Sequence, residues 1–354
     1  MQQKMGFDFI GNRKIAFLMS IVLIVLGIGS VIFKGGLDLG IDFVGGTLVE
    51  VRFSDVPPIE EIRNTVTTAG FDDSIIQRLG DGHIVLIRVQ TSEVEDEDSG
   101  KDQGGQITDA LEQHLGETNF EVLRVEQVGP QVGSELQRSA QLAMLFAIAG
   151  LVLYISWRFE SKFALTVAII AVIAIGLSSW QWLAAEDYGI PIIIFLALVA
   201  VLGACIIFDY HFAFAAIIAL IHDVLITVGV FSITNREITL PVIAALLAII
   251  GYSLNDTIVI FDRIRENLRL MARQSPQDIL NRSIRQTLSR TLLTSLTTLF
   301  VVLVLLVAGG HVINSFAFAL FIGVITGTYS SIFVASPLLF IWNQRAKGGI
   351  FKKA

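Results

Sequence analysis

The chain has 354 residues, of which 53% are hydrophobic and 16% are charged, and its formal net charge is −7. Soluble globular proteins are about 45–50% apolar and about 25% charged, so this composition excludes a soluble globular protein and indicates a polytopic membrane protein. The single cysteine, Cys205, excludes an intrachain disulfide and leaves the redox compartment open. Nothing in the sequence predicts a nucleic-acid partner.

Eight apolar stretches are long enough to cross a bilayer, which takes about 20 residues. They cover approximately residues 15–33, 139–157, 163–184, 190–208, 212–233, 240–261, 291–309 and 315–342. The first is about 19 residues long, longer than the apolar part of a signal peptide, so we expect it to be retained as a first span. The weakest point of the count is the short turn Asp209–His211, because a kinked or re-entrant pair would also fit there.

The positions of Lys and Arg predict the orientation, since short cytoplasmic loops of membrane proteins are enriched in them. An N-terminus in the cytoplasm leaves Arg236 as the only basic residue of the short outside loops. The residues placed inside are Lys4, Arg13, Lys14, Arg158, Lys162, the seven arginines from Arg263 to Arg290, Arg345, Lys347, Lys352 and Lys353. We therefore expect an even number of spans with both termini in the cytoplasm.

The predicted organisation follows from these spans. Residues 1–33 are the cytoplasmic N-terminus and first span, and 34–138 form an extracytoplasmic domain. Residues 139–342 are the transmembrane bundle, which includes a cytoplasmic basic segment at 262–290. Residues 343–354 are a cytoplasmic tail.

The extracytoplasmic domain is strongly acidic, with 21 Asp and Glu against 8 Lys and Arg. Alternating apolar residues and turn residues predict its elements. In chain order these are strand 46–54, helix 58–69, strand 74–79, strand 83–90, helix 106–115 and strand 119–128. This βαββαβ order predicts a ferredoxin-like α+β domain. Loop 92–105 is acidic but lacks the ligand spacing and central Gly of an EF-hand, so we expect a solvated loop and no metal site.

Asp256 lies within the apolar stretch 240–261, about 7–8 Å from its cytoplasmic end at 1.5 Å per residue. A charged side chain at the centre of a span costs roughly 2.5–3.5 kcal/mol on insertion scales, which favours a functional role as a carboxylate that gains and loses a proton. Arg290 begins the next span at a similar depth and is the predicted cation for it. The alternatives are a helix-packing carboxylate and an arginine that snorkels to the interface. We expect Ser253, Asn255 and Thr294 to support the pair.

His222 and Asp223 form a second polar pair near the middle of stretch 212–233. Such a pair is typical of a proton relay, but neighbouring helical residues point about 100° apart and cannot both face one partner. One of the two would then be a structural hydrogen-bonding residue, and the sequence does not say which.

Four motifs, in this order, carry a resemblance to a known family. They are GIDFVGGT at 40–47, ALIHDVLIT at 219–227, GYSLNDT at 251–257 followed by FDRIREN at 261–267, and SRTLLTSLTT at 289–298. Together they resemble the SecD/SecF family of bacterial protein-export subunits, part of the resistance–nodulation–division superfamily. The resemblance extends over most of the chain and implies a ferredoxin-like domain after the first span.

The resemblance also implies a function. Such a subunit uses the proton motive force to assist protein translocation through the SecYEG channel across the bacterial inner membrane. It implies SecD, SecYEG and an unfolded secretory polypeptide as partners, with YajC as a further one. It implies protons as the coupling ion, no other cofactor, and a translocation subunit that is not an enzyme.

Residue by residue, the resemblance assigns Asp256 and Arg290 to proton coupling and makes His222 and Asp223 a nearby polar element. The family's signature beyond the first span comprises Gly40, Asp42, Gly45 and Gly46. Its two adjacent glycines would permit a tight turn into the first strand.

The chain departs from the family pattern in one respect. Members resemble six-span proteins, whereas here an extra apolar pair at about 163–208 separates Arg158 from His222. We therefore expect about eight transmembrane helices, a core of six plus an inserted pair. Because two added spans preserve the orientation of everything downstream, the coupling residues keep their sidedness.

Two rival functions remain. A small-molecule or lipid exporter of the same superfamily is the main alternative, although such exporters resemble chains with two large outside domains. An intramembrane aspartyl protease using Asp223 and Asp256 would need the two carboxylates close together, and the Gly-x-Gly-Asp signature is missing.

Overall fold

The structure is a computed structural model that describes residues 7–55, 57–72, 74–79, 82–89, 103–116, 120–160, 189–271 and 273–345. The chain divides into two compact units, Leu39–Ala140 and a second unit of Met1–Asp38 with Gln141–Ala354. The first corresponds to the predicted extracytoplasmic domain and the second to the predicted bundle.

The long helices of the chain are α1 (Arg13–Phe33), α5 (Pro130–Glu160), α6 (Gly189–Ile207), α7 (His211–Ile233), α8 (Leu240–Leu270), α9 (Pro276–Ala308) and α10 (Gly310–Ser330). A π-helical turn, Ser331–Ala335, joins α10 to α11 (Ser336–Arg345). Among the described residues, six helical segments have the length and hydropathy needed to cross a membrane. The predicted span 163–184 lies outside the described residues, and α6 covers the predicted span 190–208.

The helices α8 and α9 extend well beyond the apolar stretches from which they were predicted. Helix α8 contains the predicted stretch 240–261 and has 31 residues, and α9 contains the predicted stretch 291–309 and has 33 residues. Helix α9 begins early because Ser275 caps it, its hydroxyl accepting a hydrogen bond from the Asp278 amide at 3.1 Å. Pro276 then occupies the first turn, where its missing N–H costs nothing. The predicted cytoplasmic segment 262–290 is therefore mostly helical.

Helices α1 and α7 cross where both carry glycine. A Cβ atom on Gly27 would lie 2.7 Å from the Cα of Gly229, so only glycine at both positions allows this approach. Seven residues before Gly27 along α1, Ser20 contacts His222 of α7, and three residues after it Ser30 contacts Ser232 at 2.8 Å. These contacts run the length of the pair and fix its register.

The unit Leu39–Ala140 contains a four-stranded antiparallel sheet. Its elements in chain order are α2 (Ile41–Val44), β1 (Gly46–Phe53), α3 (Ile59–Thr68), β2 (Ile75–Leu79), β3 (Ile84–Val89), α4 (Gln103–Leu115) and β4 (Phe120–Val128). The strands lie in the order β2-β3-β1-β4. After the short α2, this is the βαββαβ order predicted from the sequence.

Apolar side chains from the strands, α3 and α4 form one core in this unit, including Val49, Val51, Ile62, Ile87 and Ile107, all fully buried. Helix α4 begins at Gln103, three residues earlier than predicted. The Gln103 side chain is buried and hydrogen-bonds to Thr47 at 2.9 Å, so the start of the helix is tied to β1. Residues 92–102 of the predicted acidic loop lie outside the described residues.

Gly45, directly before β1, and Gly46, the first residue of β1, both have positive φ angles. Gly45 has φ 78° and ψ 170°, a region that essentially only glycine adopts, and Gly46 has φ 123°. A Cβ atom on Gly45 would also lie 2.8 Å from the Cα of Pro130. Gly40 precedes α2 and Asp42 lies in its first turn, so all four signature residues lie on the tight path into β1.

Candidate functional site

The centre of the bundle contains two buried carboxylates, each held by hydroxyl groups from neighbouring helices. Asp223 on α7 is 1% exposed and Asp256 on α8 is 2% exposed. Such groups are rarely kept in membrane helices without partners, because an unpaired polar group there costs several kcal/mol. The partners of each therefore determine what the site can do.

Asp223 makes three hydrogen bonds. Its Oδ2 accepts from the hydroxyl of Ser253 on α8 at 2.5 Å and from that of Ser330 on α10 at 2.8 Å. Its Oδ1 lies 2.9 Å from Nδ1 of the preceding His222. One carboxylate thus connects three helices of the bundle.

His222 faces a different neighbour, α1. Its Nε2 lies 2.9 Å from the hydroxyl of Ser20, and its ring stacks on Tyr329 of α10 with 6.0 Å between ring centroids. The Tyr329 hydroxyl accepts a long hydrogen bond from Ser20 at 3.4 Å and donates to the carbonyl of Ala16 at 2.8 Å. His222 and Asp223 therefore have different partners on neighbouring helices, as expected for adjacent helical residues. They also contact each other.

Asp256, one turn from Ser253 on α8, has a simpler environment. Its Oδ2 lies 3.3 Å from the hydroxyl of Ser295 on α9, which in turn lies 2.7 Å from the hydroxyl of Thr328 on α10. Thr328 donates its only hydroxyl proton to the carbonyl of Val324 at 2.7 Å. Ser295 therefore has one proton for two acceptors, Asp256 and Thr328.

This hydroxyl chain suits both protonation states of Asp256. When the carboxylate is ionised, Ser295 donates to it. When the carboxyl is protonated, it donates to Ser295, and Ser295 donates to Thr328. No group has to move far, because only hydroxyl rotation is needed. The arrangement can therefore hold a proton or release it without leaving a buried donor unpaired.

Arg290 does not contact Asp256. It lies exposed on α9, and no hydrogen bond or ion pair within 4.0 Å joins it to a carboxylate among the described residues. It is close enough for its charge to act on Asp256. Thr291, one residue further along α9, is the side chain that turns inward, at 1% exposed.

The residues that were predicted to support Asp256 and Arg290 do not contact Asp256 either. Ser253 is buried but donates to Asp223 and not to Asp256. Asn255 is exposed on α8, and Thr294 is exposed on α9 with its hydroxyl bonded to the carbonyls of Arg290 and Thr291 in its own helix.

The two clusters share α8 and α10. Ser253 and Asp256 are one turn apart on α8, and Thr328 and Ser330 are two residues apart on α10. The helices approach closely here because Gly327 lies against Ser253, where an added Cβ would be 2.9 Å from the Ser253 Cβ. The π-helical turn begins immediately after Ser330, and such turns often accompany functional sites in membrane and soluble helices.

Several residues of these clusters were not identified from the sequence. They are Ser20, Ser295, Thr328, Tyr329 and Ser330. Their only signal is a hydroxyl group within an apolar stretch, which does not show which neighbour it contacts. Within the described residues, no group of three or more His, Cys, Asp or Glu side chains could hold a metal ion.

A bundle of membrane-length helices with buried carboxylates and hydroxyl chains defines a polytopic membrane protein with a polar intramembrane core. Comparison with known proteins gives its family. The model of the C-terminal domain of the protein export membrane proteins SecD and SecF matches residues 107–186 and 178–345, and that of the SecD/SecF GG motif matches residues 30–55. The chain belongs to the SecD/SecF family of protein export membrane proteins.

Curated relatives are similar over nearly the full length. The protein translocase subunit SecF of Calditerrivibrio nitroreducens is 41% identical over 339 residues, covering 95% of this chain and 94% of the relative. That of Desulfurispirillum indicum is 42% identical over 334 residues, covering 93% and 88% respectively. That of Pseudomonas aeruginosa is 37% identical over 343 residues, covering 97% and 93%.

A solved structure has the same fold. The crystal structure of SecDF, a translocon-associated membrane protein from Thermus thermophilus, superimposes with a TM-score of 0.69 at 32% identity. It covers 96% of this chain, and this chain spans 39% of the SecDF chain.

Proposed function

We propose that this chain is a SecF-type subunit that assists protein translocation and that it draws energy from proton movement through Asp256. The observation that carries the proton role is the hydroxyl chain from Asp256 through Ser295 to Thr328, which accommodates the carboxyl group both with and without its proton. Moving one charge through 100 mV contributes about 2.3 kcal/mol, enough to bias a conformational equilibrium by well over tenfold.

The proposed partners follow from the relatives. Because the Thermus SecDF chain is more than twice as long as this one, we propose that SecD supplies the remaining half of the assembly as a separate chain. SecYEG is the proposed channel, an unfolded secretory polypeptide the proposed substrate, and YajC a further partner. The proposed location is the bacterial inner membrane, with both termini in the cytoplasm, which the distribution of Lys and Arg supports.

Arg290 is the proposed cation of the cycle, although it does not touch Asp256 in this state. Its charge acts on the carboxylate, and a rotation of α9 by part of a turn would bring its side chain inward. We propose that Arg290 approaches Asp256 when the carboxyl group loses its proton and withdraws when it is protonated. The proposed coupling ion is the proton, without another cofactor, and we assign the subunit no enzymatic activity.

We also propose a fold class for the unit Leu39–Ala140 and a number of membrane spans for the chain. We assign unit Leu39–Ala140 to the ferredoxin-like class, on the support of its βαββαβ order and the antiparallel strand order β2-β3-β1-β4. We propose eight membrane spans, on the support of the apolar stretch 163–184 and of α6. The exporter alternative is not favoured, since the curated relatives are translocase subunits over nearly their full length.

The test is the substitution Asp256→Asn, which keeps the size of the side chain and removes its exchangeable proton. In membrane vesicles that contain the chain with SecD and SecYEG, we expect normal assembly but loss of the part of export that depends on the proton gradient. Glu266→Gln is the matched control, because it makes the same chemical change at an exposed position of the same helix. Gradient-dependent export by Asp256→Asn at the control level would refute the coupling role.

A further inference from the structure

We propose that His222 and Asp223 form a second proton-binding site of the bundle, which gains and loses one proton in addition to the one between Nδ1 and Oδ1, and which connects the centre of the bundle to α1. The proposal extends the proposed function and rests on it for the use made of the proton. The hydrogen bonds of this second site involve different residues from those of Asp256. The observations that carry it are the burial of the pair, the absence of a Lys or Arg within ion-pair distance of Asp223 in the described part of the chain, and the count of available hydrogen atoms.

Burial excludes solvent as the partner of the pair. Asp223 is 1% exposed and His222 is 5% exposed. A carboxylate at this depth is strongly destabilised unless a positive charge or a proton compensates it. Among the described residues, the only group within ion-pair distance of Asp223 is His222. The compensating charge must therefore be a proton carried by the pair itself.

The neighbouring helices bring few other titratable groups. Helix α1 contributes Ser20, with Arg13 and Lys14 near its cytoplasmic start, and α10 contributes Ser330 and Tyr329. Helix α8 contributes Ser253, with Asp256 one turn further along. The remaining charged or titratable residues on neighbouring helices are Tyr252, Asp262, Arg263, Arg265, Glu266 and Arg269 on α8, His311 near the start of α10, Cys205 on α6 and Arg345 at the end of α11.

The hydrogen-bond partners determine where the proton lies. Tyr329 donates to Ala16, so when Ser20 donates to Tyr329, Nε2 of His222 must donate to Ser20. One proton then lies between Nδ1 and Oδ1, either as an imidazolium beside a carboxylate or as a neutral imidazole beside a carboxylic acid. When Ser20 instead donates to Nε2, Nδ1 carries the proton towards an ionised Asp223. The Ser20 hydroxyl thus points to Tyr329 when the pair carries the additional proton, and to Nε2 of His222 when it does not.

Asp223 has the donors that both states need. The two serine hydroxyls at Oδ2 stabilise the ionised form, and both can turn to backbone carbonyls when the group is neutral, as Ser330 already approaches the Gly327 carbonyl at 3.2 Å. Ser253 and Ser330 are therefore positioning residues of this site. Ser20 makes α1 sensitive to its charge, and α1 leads along the chain towards the unit that begins at Leu39.

The experiment follows the protonation of His222 directly. The full-length chain, labelled with ¹⁵N-histidine and reconstituted in lipid vesicles, is titrated by solid-state NMR from about pH 4 to about pH 10, which covers the ordinary range from Asp to Tyr. The chain has 5 histidines, so the signal of His222 is identified by its loss in His222→Gln. We expect both ring nitrogens to change with a single shared midpoint.

Conservative variants distinguish the site from a fixed structural contact. Ser253→Ala and Ser330→Ala each remove one donor from Asp223, and we expect each to move the midpoint by about one pH unit. The matched control is Ser295→Ala, which removes a hydroxyl from Asp256 and should leave the His222 midpoint unchanged. Because these changes are small, the variants remain informative even if Asp223→Asn fails to fold.

The outcomes separate this proposal from the proposed function. A His222 signal that stays constant across the titration, or a midpoint that Ser253→Ala and Ser330→Ala both leave in place, would overturn the second site. If Asp256→Asn still loses gradient-dependent export in that case, the proposed function stands. A titrating His222 together with normal export by Asp256→Asn would support the second site and overturn the coupling role of Asp256.

Discussion

The two intramembrane carboxylates obtain their hydrogen bonds in different ways. Asp223 is surrounded by two serines and a histidine, whereas Asp256 has one serine that is itself shared with Thr328. A group with several donors must reorient all of them when its charge changes, whereas a group with one shared donor has to exchange only that donor. At the residue scale, Asp256 is therefore the more readily switched of the two.

The sequence showed which residues carry charge within the bundle but not which faces they share. The depth of Asp256 and Arg290 can be read from their distance to the ends of apolar stretches, and both lie at similar depth. Which face a side chain presents depends on how each helix is rotated against its neighbours. A serine within an apolar stretch, such as Ser295, gives no signal of this rotation, so the partner of Asp256 could not be predicted.

A third carboxylate, Asp8, fixes the segment before α1 to the N-terminal part of α9. It accepts hydrogen bonds from the Gly11 amide at 2.8 Å and from the side chains of Asn281 and Gln277 at 2.7 and 2.9 Å. The Asn281 side-chain oxygen in turn accepts from the Ile10 amide at 3.1 Å. Ile10 is fully buried among residues of α8, α9 and α11, so this segment is part of the bundle.

Asp8 also gives this attachment a pH dependence. Burial acts to raise the pKa of Asp8, but the hydrogen bonds from Gly11, Asn281 and Gln277 and the charge of Arg285 together lower it below its ordinary value of 3.8. A carboxyl group with a lowered pKa stabilises the folded state above its unfolded value and loses this contribution as the pH falls through the folded value. The attachment should therefore be intact at neutral pH and weaken below about pH 4.

We predict that Asp8→Ala loosens this segment at neutral pH. Without the carboxylate, the amide of Gly11 and the side chain of Asn281 lose their acceptor, so hydrogen exchange at Ile10 and Gly11 should become about tenfold faster. Exchange measured by mass spectrometry on the full chain in detergent would show this. Glu266→Ala removes an exposed carboxylate of α8, outside the segment, and should leave exchange there unchanged. Equal exchange in both variants would contradict the anchoring role of Asp8.

At the scale of elements, α1 and α7 pack against each other in a regular register. The contacts of Ser20 with His222, Gly27 with Gly229 and Ser30 with Ser232 all join residues that are 202 positions apart in the chain. A constant offset means that the helices run parallel in a fixed register. Lys34 continues the pair beyond the C-terminal ends of both helices, where it hydrogen-bonds to the Ser232 carbonyl and to the Asn235 side chain. The position of His222 therefore depends on how closely these two helices pack.

We predict that Gly27→Ala destabilises the bundle by about 1–3 kcal/mol, because the added methyl group has no space against the Gly229 backbone and must force the helices apart. The measurement is the thermal unfolding midpoint in detergent, together with the His222 signal, which should change because its contact with Ser20 is strained. Gly29→Ala is the matched control on the same helix, since nothing lies within 4 Å of its added Cβ. The control should be neutral or slightly stabilising, as alanine is the better helix former. A Gly27→Ala protein as stable as Gly29→Ala would show that the close approach is not required.

At the scale of the whole molecule, the number of spans decides on which side of the membrane the basic segment 262–290 lies. The family pattern has six spans, and six membrane-length helices are found among the described residues. The predicted span 163–184 lies outside those residues, so the inserted pair depends on its apolar composition and on α6. An odd number of added spans would invert the bundle and place the seven arginines from Arg263 to Arg290 outside, against the usual charge distribution. The insertion therefore has to cross the membrane twice or not at all.

We predict that it crosses twice, with residues 185–189 outside. Asp187→Cys, in a chain whose own buried cysteine is removed by Cys205→Ser, should react with a membrane-impermeant maleimide added from outside intact cells. Arg273→Cys, at an exposed position between α8 and α9, is the matched control and should react only after the membrane is opened. Reaction of both positions only after opening would mean that the insertion does not cross the membrane, and the bundle would then keep six spans. Reaction of position 273 from outside would contradict the proposed orientation, in which both termini are cytoplasmic. Asp8 and the basic helix to which it is attached would then not be cytoplasmic either.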